Sequence, residues 1–351
     1  VNIVTIGLAA FFLDPLLLVF GANHEILPYA HDYSSICLAG CFFMNIINVN
    51  MSAIRAEGNA RFVMFVQAGA AILNVIIDPI FIFVFHWGVA GAAIATVISQ
   101  MLAGVLSVWY YYGSKHRVLS LHGFSFLKPF DRGIVRETLA LGASSFARHI
   151  SNSLMSIALF HVLYLYSGSI AIAAFGIIFR LLMFTYMPIF GINQGFMPIV
   201  GYNYGARNIS RVLEAIKFAN IFTTLLSVVA MVLMLIWSRE LISVFTTDQA
   251  LIDMGSPALR IVIIAFPVLG LQIIGSGLYQ ALGKPIQSLF LALVRQIIFL
   301  IPMVLILPLF FSLNGIWAAF PVADFLAALV TIIMVYLQMR ILRRNQNLVQ
   351  A

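Results

Sequence analysis

The sequence is poor in charge: only 9% of its 351 residues are Asp, Glu, Lys or Arg, against 62% that are hydrophobic. A soluble domain carries about 25% charged residues, so a water-soluble globular fold is excluded and a polytopic membrane protein is indicated. Cysteine is nearly absent. Cys37 and Cys41 stand four apart in one apolar segment, too close on one helix to tie distant parts together, and read as packing residues. Nucleotide-binding signatures are missing as well. Gly201-Tyr-Asn-Tyr-Gly205 is glycine-rich but lacks the Gly-Lys-Ser/Thr that a phosphate loop requires. No pair of histidines has metal-ligand spacing, so no metal site is expected. A catalytic cluster is lacking among the connections, so the chain is read as a non-enzyme. The opening Val-Asn-Ile has no basic stretch or cleavage site and is not read as a signal peptide. The net charge of +7 would suggest nucleic acid in a soluble chain, but here it follows the bias of lysine and arginine towards the inner loops.

What is present is apolar sequence in long runs. Ten segments reach spanning length, near 2–20, 34–54, 62–86, 89–112, 134–165, 169–200, 213–237, 257–281, 286–311 and 315–338. The runs are continuous rather than alternating, which predicts an all-α fold and no barrel. Every second connection is basic: Arg55 and Arg61; Lys115 to Arg136; Arg207, Arg211 and Lys217; Lys284; and Arg340, Arg343 and Arg344. The others lack lysine and arginine, or, at 239–256, are acidic. This pattern predicts a cytoplasmic C-terminus in the cell membrane. The long link 113–133 divides a four-helix lobe (1–112) from a six-helix lobe (134–340), followed by a tail (341–351).

The halves repeat. A shift of 225 brings Leu17, Val19, Phe20 and Ile26 onto Ile242, Val244, Phe245 and Leu251, and Ala56 and Gly58 onto Ala281 and Gly283. A shift of 227 brings Gly88 onto Gly315. Parallel repeats of this kind are expected of transporters. The register places the start of the first half about ninety residues before Val1, and two N-terminal helices are expected to precede the visible ten.

The stretch Asn74-Val-Ile-Ile-Asp78-Pro79 is where polar chemistry enters this apolar chain. Asn74 and Asp78 stack on one helix face. Pro79 has no N–H, so the Val75 carbonyl lacks its helical donor. Asp78 lies nine residues before Trp87 and Thr96 nine after it, so both are expected ~13 Å from that turn. A mid-membrane aspartate costs roughly 2.5–3.5 kcal/mol on insertion scales and needs a partner or a function.

Asn74 to Pro79 with Gly88-Val-Ala-Gly-Ala-Ala-Ile-Ala-Thr96, together with Arg55-Ala-Glu-Gly-Asn59, Met197-Pro-Ile-Val-Gly-Tyr-Asn-Tyr-Gly-Ala-Arg207 and Gly283-Lys-Pro285, resembles the MATE (multidrug and toxic compound extrusion) transporters, in the MepA/DinF-like branch. The resemblance covers the whole chain. It implies a twelve-helix antiporter of two six-helix lobes, of which ten helices are visible, with lobes that rock to alternate access. It also implies cation ligands at Asn74, Asp78 and Thr96, and at Tyr33. The family's acidic partner on its first helix is not in this sequence. No Asp or Glu lies between Glu137 and Glu214 or between Asp253 and Asp324, so a carboxylate site in the C-terminal lobe is expected to be absent.

Implied function is therefore secondary active multidrug efflux, exchanging H⁺ or Na⁺ for lipophilic, cationic compounds. No cofactor, nucleotide or nucleic acid is expected, only drugs or dyes and membrane lipid, and the chain is read as a monomer. The alternatives are a lipid-linked saccharide flippase of the same superfamily and an inactive, shortened transporter. Candidate cavity or gating residues are Arg148, Asn152, Met183, Met187, Pro188, Asn193, Gln194 and Asp324. Arg148 is expected to meet a carboxylate or line a cavity. Arg180 and Arg295 are expected to snorkel to the inner surface. Asp324 reads either as functional or as a structural hydrogen-bonding group, and Asp78 either as an ion ligand or as a structural carboxylate bonded to Asn74 and Thr96. Asp14 reads as a helix-end residue. The Pro and Gly of 169–200 are expected to bend that helix.

Overall fold

The computed structural model describes residues 2–19, 27–113 and 131–350, with the side chains of most of them. All regular structure among the described residues is helical. This follows from composition: in hydrocarbon every backbone N–H and C=O must be paired within the segment, and a helix does so unaided. Nine helices among the described residues are long and apolar enough to cross a membrane, running from Leu27–Ala56 to Pro308–Arg344. The tenth expected segment, 2–20, forms two shorter helices, α1 (Asn2–Phe11) and α2 (Leu13–Val19). They join at Phe12, three residues before Pro15. Proline donates no hydrogen bond, which leaves the Phe11 carbonyl one turn earlier unanswered.

The chain divides into two compact units, Val1–Lys128 and Pro129–Ala351. In the first, α3 (Leu27–Ala56), α4 (Ala60–Pro79) and α5 (Gly88–Gly113) pack around Met51, Ile54, Val63 and Tyr110. Gly40 lets α3 approach α5 closely, since a Cβ there would sit 2.7 Å from Val97 Cγ2. Beyond Pro79 the α4 backbone continues as a π-helical segment, Ile80–Val84, with helical dihedrals at the proline itself.

The second unit begins with α6 (Arg132–Gly205), which is interrupted at Ser167 and Gly168 into two spans. Its second span keeps helical dihedrals through Pro188 and Pro198, so the non-helical backbone lies at the connection and not at the prolines. Then follow α7 (Ile209–Ile236), α8 (Ser238–Ser243), α9 (Gln249–Val262), α10 (Phe266–Ala281), α11 (Pro285–Leu293), α12 (Ile301–Ile306) and α13 (Pro308–Gln350). A π-helical segment, Val294–Leu300, links α11 to α12, and Ser312 breaks the dihedrals of α13. Residues 341–350 extend α13 as helix. Trp317, Phe266, Ile178 and Leu159 lie at the centre of the core.

One turn recurs three times. Between α3 and α4, Gly58 has φ 90°, its N–H bonds Arg55 O at 3.0 Å, and Asn59 N–H bonds Ile54 O at 3.2 Å. Between α6 and α7 the same pair of bonds runs from Arg207 to Tyr204 O (3.0 Å) and from Asn208 to Asn203 O (2.8 Å). Between α10 and α11 it runs from Gly283 to Gln280 O (3.2 Å) and from Lys284 to Tyr279 O (2.9 Å). This left-handed cap satisfies carbonyls the ending helix leaves open. Gly58 and Gly283 are related by the 225-residue shift.

Candidate functional site

The α4/α5 hairpin carries the first polar cluster. Its tip is an aromatic group, Phe81, Phe85 and Trp87, with ring centroids 5.1–5.7 Å apart. Gly91 closes the hairpin, because a Cβ there would lie 2.9 Å from Phe81 O. With the helices clamped this way, Asn74 Nδ2 donates to Asp78 Oδ1 at 3.1 Å and to Thr96 Oγ1 at 3.5 Å. Thr96 Oγ1 donates in turn to Ala92 O at 3.0 Å. Three residues from two helices thus meet: Asp78 and Thr96 stand nine residues either side of Trp87, and Asn74 lies one turn before Asp78 on the same helix face. All three are half-buried. Among the described residues no cationic side chain lies within ion-pair distance of Asp78. Tyr33, near the start of α3, is 40% exposed. Asp14, in the first turn of α2, pairs with His31 at 2.6 Å.

A second cluster lies in the C-terminal unit, around Asp324, which the sequence left open between a functional role and a structural hydrogen bond. Asp324 is 3% exposed and lines a cavity of about 380 Å³. Its carboxylate takes Arg295 Nε on Oδ1, and Arg295 Nη2 reaches Oδ2 at 3.5 Å. Arg295 Nη2 also donates to Tyr186 Oη at 2.9 Å, and the guanidinium lies 5.9 Å from the centre of the Tyr186 ring. Gln272 Nε2 donates to the Asp324 backbone carbonyl at 2.8 Å, and Gln296 Nε2 donates to Asn152 Oδ1. Arg295 therefore turns inward instead of snorkelling. A buried carboxylate at bonding distance outweighs a reach to the interface, since neither charge can be desolvated alone.

Of the other candidates, Asn152, Met183 and Asn193 line this cavity. Met187 is 69% exposed, and Pro188, Gln194 and Arg180 are exposed too, pointing out of the unit. The Arg148 side chain and most of the 113–133 link lie outside the described residues. Among the described residues no group of His, Cys, Asp and Glu could hold a metal ion.

Sequence reasoning missed the Arg295–Asp324 pair, with Tyr186 and Gln296, although one signal was present. Arg295 stands twelve residues before Leu307 and Asp324 twelve after Ser312, the two ends of that hairpin's turn. The rule that aligned Asp78 with Thr96 aligns these two as well. Tyr186, from α6, gave no such signal.

The MatE family model matches residues 1–80 and 144–306. The chain is 27% identical over 336 residues to the "Multidrug export protein MepA" of Staphylococcus aureus (strain bovine RF122 / ET3-1), covering 96% of this chain and 73% of that one. To the protein of the same name from Staphylococcus haemolyticus (strain JCSC1435) it is 26% identical, covering 93% and 71%. Its fold matches a solved outward-facing multidrug resistance MATE family transporter of the MOP superfamily with a TM-score of 0.90 at 23% identity, over 98% of this chain and 76% of that one. A MOP superfamily transporter from Pyrococcus furiosus also matches with a TM-score of 0.90 at 23% identity, over 97% and 76%. Two thirds of the chain falling under one family model, with apolar helices throughout, places it: the chain belongs to the MATE family, as a MepA-like, multi-pass membrane transporter.

Proposed function

We propose that the chain is a secondary active multidrug efflux antiporter, exchanging H⁺ or Na⁺ for lipophilic, cationic compounds across the cell membrane, as a monomer with its C-terminus in the cytoplasm. One observation carries the reading: Asp78, half-buried on a membrane-spanning helix, is held by Asn74 beside Thr96 with no countercharge among the described residues. Multidrug export by the staphylococcal relatives supports the direction and breadth of transport.

An uncompensated carboxylate at membrane depth is costly, and a proton or a sodium ion relieves that cost. Asp78 supplies the charge. Asn74 fixes its orientation, and Thr96, whose hydroxyl hydrogen is given to Ala92 O, offers a lone pair to an entering cation. The π-helical segment after Pro79 is the local backbone that responds to occupancy. The ion drives transport only because it binds the two access states with different affinity.

Ethidium efflux from cells lacking other pumps tests the proposal. Asp78→Asn is expected to abolish efflux above background with the protein still in the membrane. Equal efflux by the variant and the parent would sink the coupling role.

A further inference from the structure

The cavity in the C-terminal unit has a polar group the coupling site does not use. Arg295 spends Nε and Nη2 on Asp324 and Tyr186, while its Nη1 has no hydrogen-bond partner among the described residues. The side chain is 21% exposed and the residue lines the cavity. A guanidinium carries five N–H donors in a fixed fork, so one pinned along Nε and Nη2 keeps the Nη1 donors for an acceptor. Movement of the side chain is restricted: the carboxylate grips Nε, and the Tyr186 ring and hydroxyl hold the other side.

The walls state what kind of molecule fits. Phe175, Phe179, Phe190, Phe266 and Met183 face the same space. Its volume of about 380 Å³ falls in the range of roughly 300–1,000 Å³ usual for small-molecule pockets. Charge decides the rest. Asp324 cancels Arg295, so this cavity holds no net charge with which to attract a cation, and a full anion would face Asp324 at close range.

We propose that this cavity is a binding site for uncharged planar aromatic compounds bearing a hydrogen-bond acceptor such as a carbonyl, with the acceptor seated on Arg295 Nη1 and the ring between the phenylalanines. The assignment deepens the efflux reading by adding a substrate class to the cationic one, and it rests on that reading only for the step from binding to export.

The test uses prodan, an uncharged dialkylaminonaphthyl ketone, and its propyl analogue, in which a methylene replaces the carbonyl. Binding to the purified full chain in nanodiscs is read by energy transfer from tryptophan, with empty nanodiscs subtracted. Prodan is expected to bind at least about tenfold more tightly than the analogue, the effect of one hydrogen bond to a charged group. Arg295→Lys keeps a cation for Asp324 but loses the planar fork, and is expected to remove that tenfold preference. Met183→Trp, or Phe179→Trp should the first not fold, is expected to fill the cavity and abolish binding of both probes with the thermal transition retained. Equal binding of the two probes to the parent chain would overturn the acceptor assignment. Unchanged prodan binding in a folded cavity-filling variant would overturn the site. Either failure leaves the dependence of ethidium efflux on Asp78 standing, since that is measured separately.

Discussion

The two units present the same kind of helical hairpin with opposite electrostatics. In α4/α5 the carboxylate is on the first helix, half-buried, and held by neutral groups. In the hairpin from Pro285 to Arg344 it is on the second helix, buried, and paired with a guanidinium. Superposing the repeats makes the difference plain. At a shift of 225, Asn74 falls on Phe299, Asp78 on Met303 and Arg295 on Ala70. At 227, Thr96 falls on Ala323 and Asp324 on Val97. None of these five polar residues has a polar counterpart. The scaffold is repeated and the chemistry is not: among the described residues the α4/α5 carboxylate has no countercharge, while the other is locked in an ion pair.

The largest expected effect breaks that lock. Asp324→Leu leaves Arg295 without its countercharge and should lower stability by about 3 kcal/mol, read from thermal melting in detergent. The double variant Arg295→Met with Asp324→Leu should recover most of the loss, because a well-packed apolar pair replaces a buried ion pair at little cost. Asp78→Asn is the contrast. It keeps the amide contact and removes no partner's compensation, so it should change stability by less than about 1 kcal/mol while efflux is lost. A large melting shift for Asp78→Asn would show that the first cluster, too, is structural.

Next come the glycines that close the two hairpins. A Cβ at Gly315 would fall 2.4 Å from Leu307 O, and one at Gly91 would fall 2.9 Å from Phe81 O. The obstacle in each case is backbone, which cannot rotate aside as a side chain does. Gly315→Ala should therefore cost about 2–3 kcal/mol and Gly91→Ala about 1 kcal/mol, within the usual range for overpacking. Melting curves of the two variants would rank them, and a reversed order would mean that the α4/α5 hairpin is the more rigid.

Much of this architecture was legible in the residues. Continuous apolar runs gave the helices because a membrane leaves the backbone few other ways to satisfy itself. Gly58 and Gly283 marked equivalent turns, and both adopt positive φ. Asn74, Asp78 and Thr96 were placed together by helix periodicity and distance from one turn. What escaped depended on side-chain choice among alternatives. Arg295 could reach outward or inward, and only the location of Asp324 and Tyr186 decides. The π-helical segments at 80–84 and 294–300 leave no mark in hydropathy, although each lies within two residues of a proline, Pro79 and Pro302, that removes a helical donor.

The smallest effect sharpens the comparison at the repeated turn. Asn59 Oδ1 accepts from Phe62 N–H at 3.2 Å, and Asn208 Oδ1 accepts from Arg211 N–H at 3.4 Å, so each caps the helix that follows. Lys284, in the third copy, gives no such bond; Pro285 opens that helix, and the Lys284 ammonium donates to Gln338 at 2.7 Å instead. Asn59→Ala and Asn208→Ala should each cost about 1 kcal/mol. The cost should be somewhat greater at Asn59, whose Nδ2 also donates to the buried Tyr110 hydroxyl at 3.4 Å. Asn59→Asp keeps the cap and loses only that donor, so its melting point should fall between parent and alanine variant. An aspartate variant as unstable as the alanine one would mean that the tie to Tyr110, rather than the cap, makes the turn between α3 and α4 the firmer of the two.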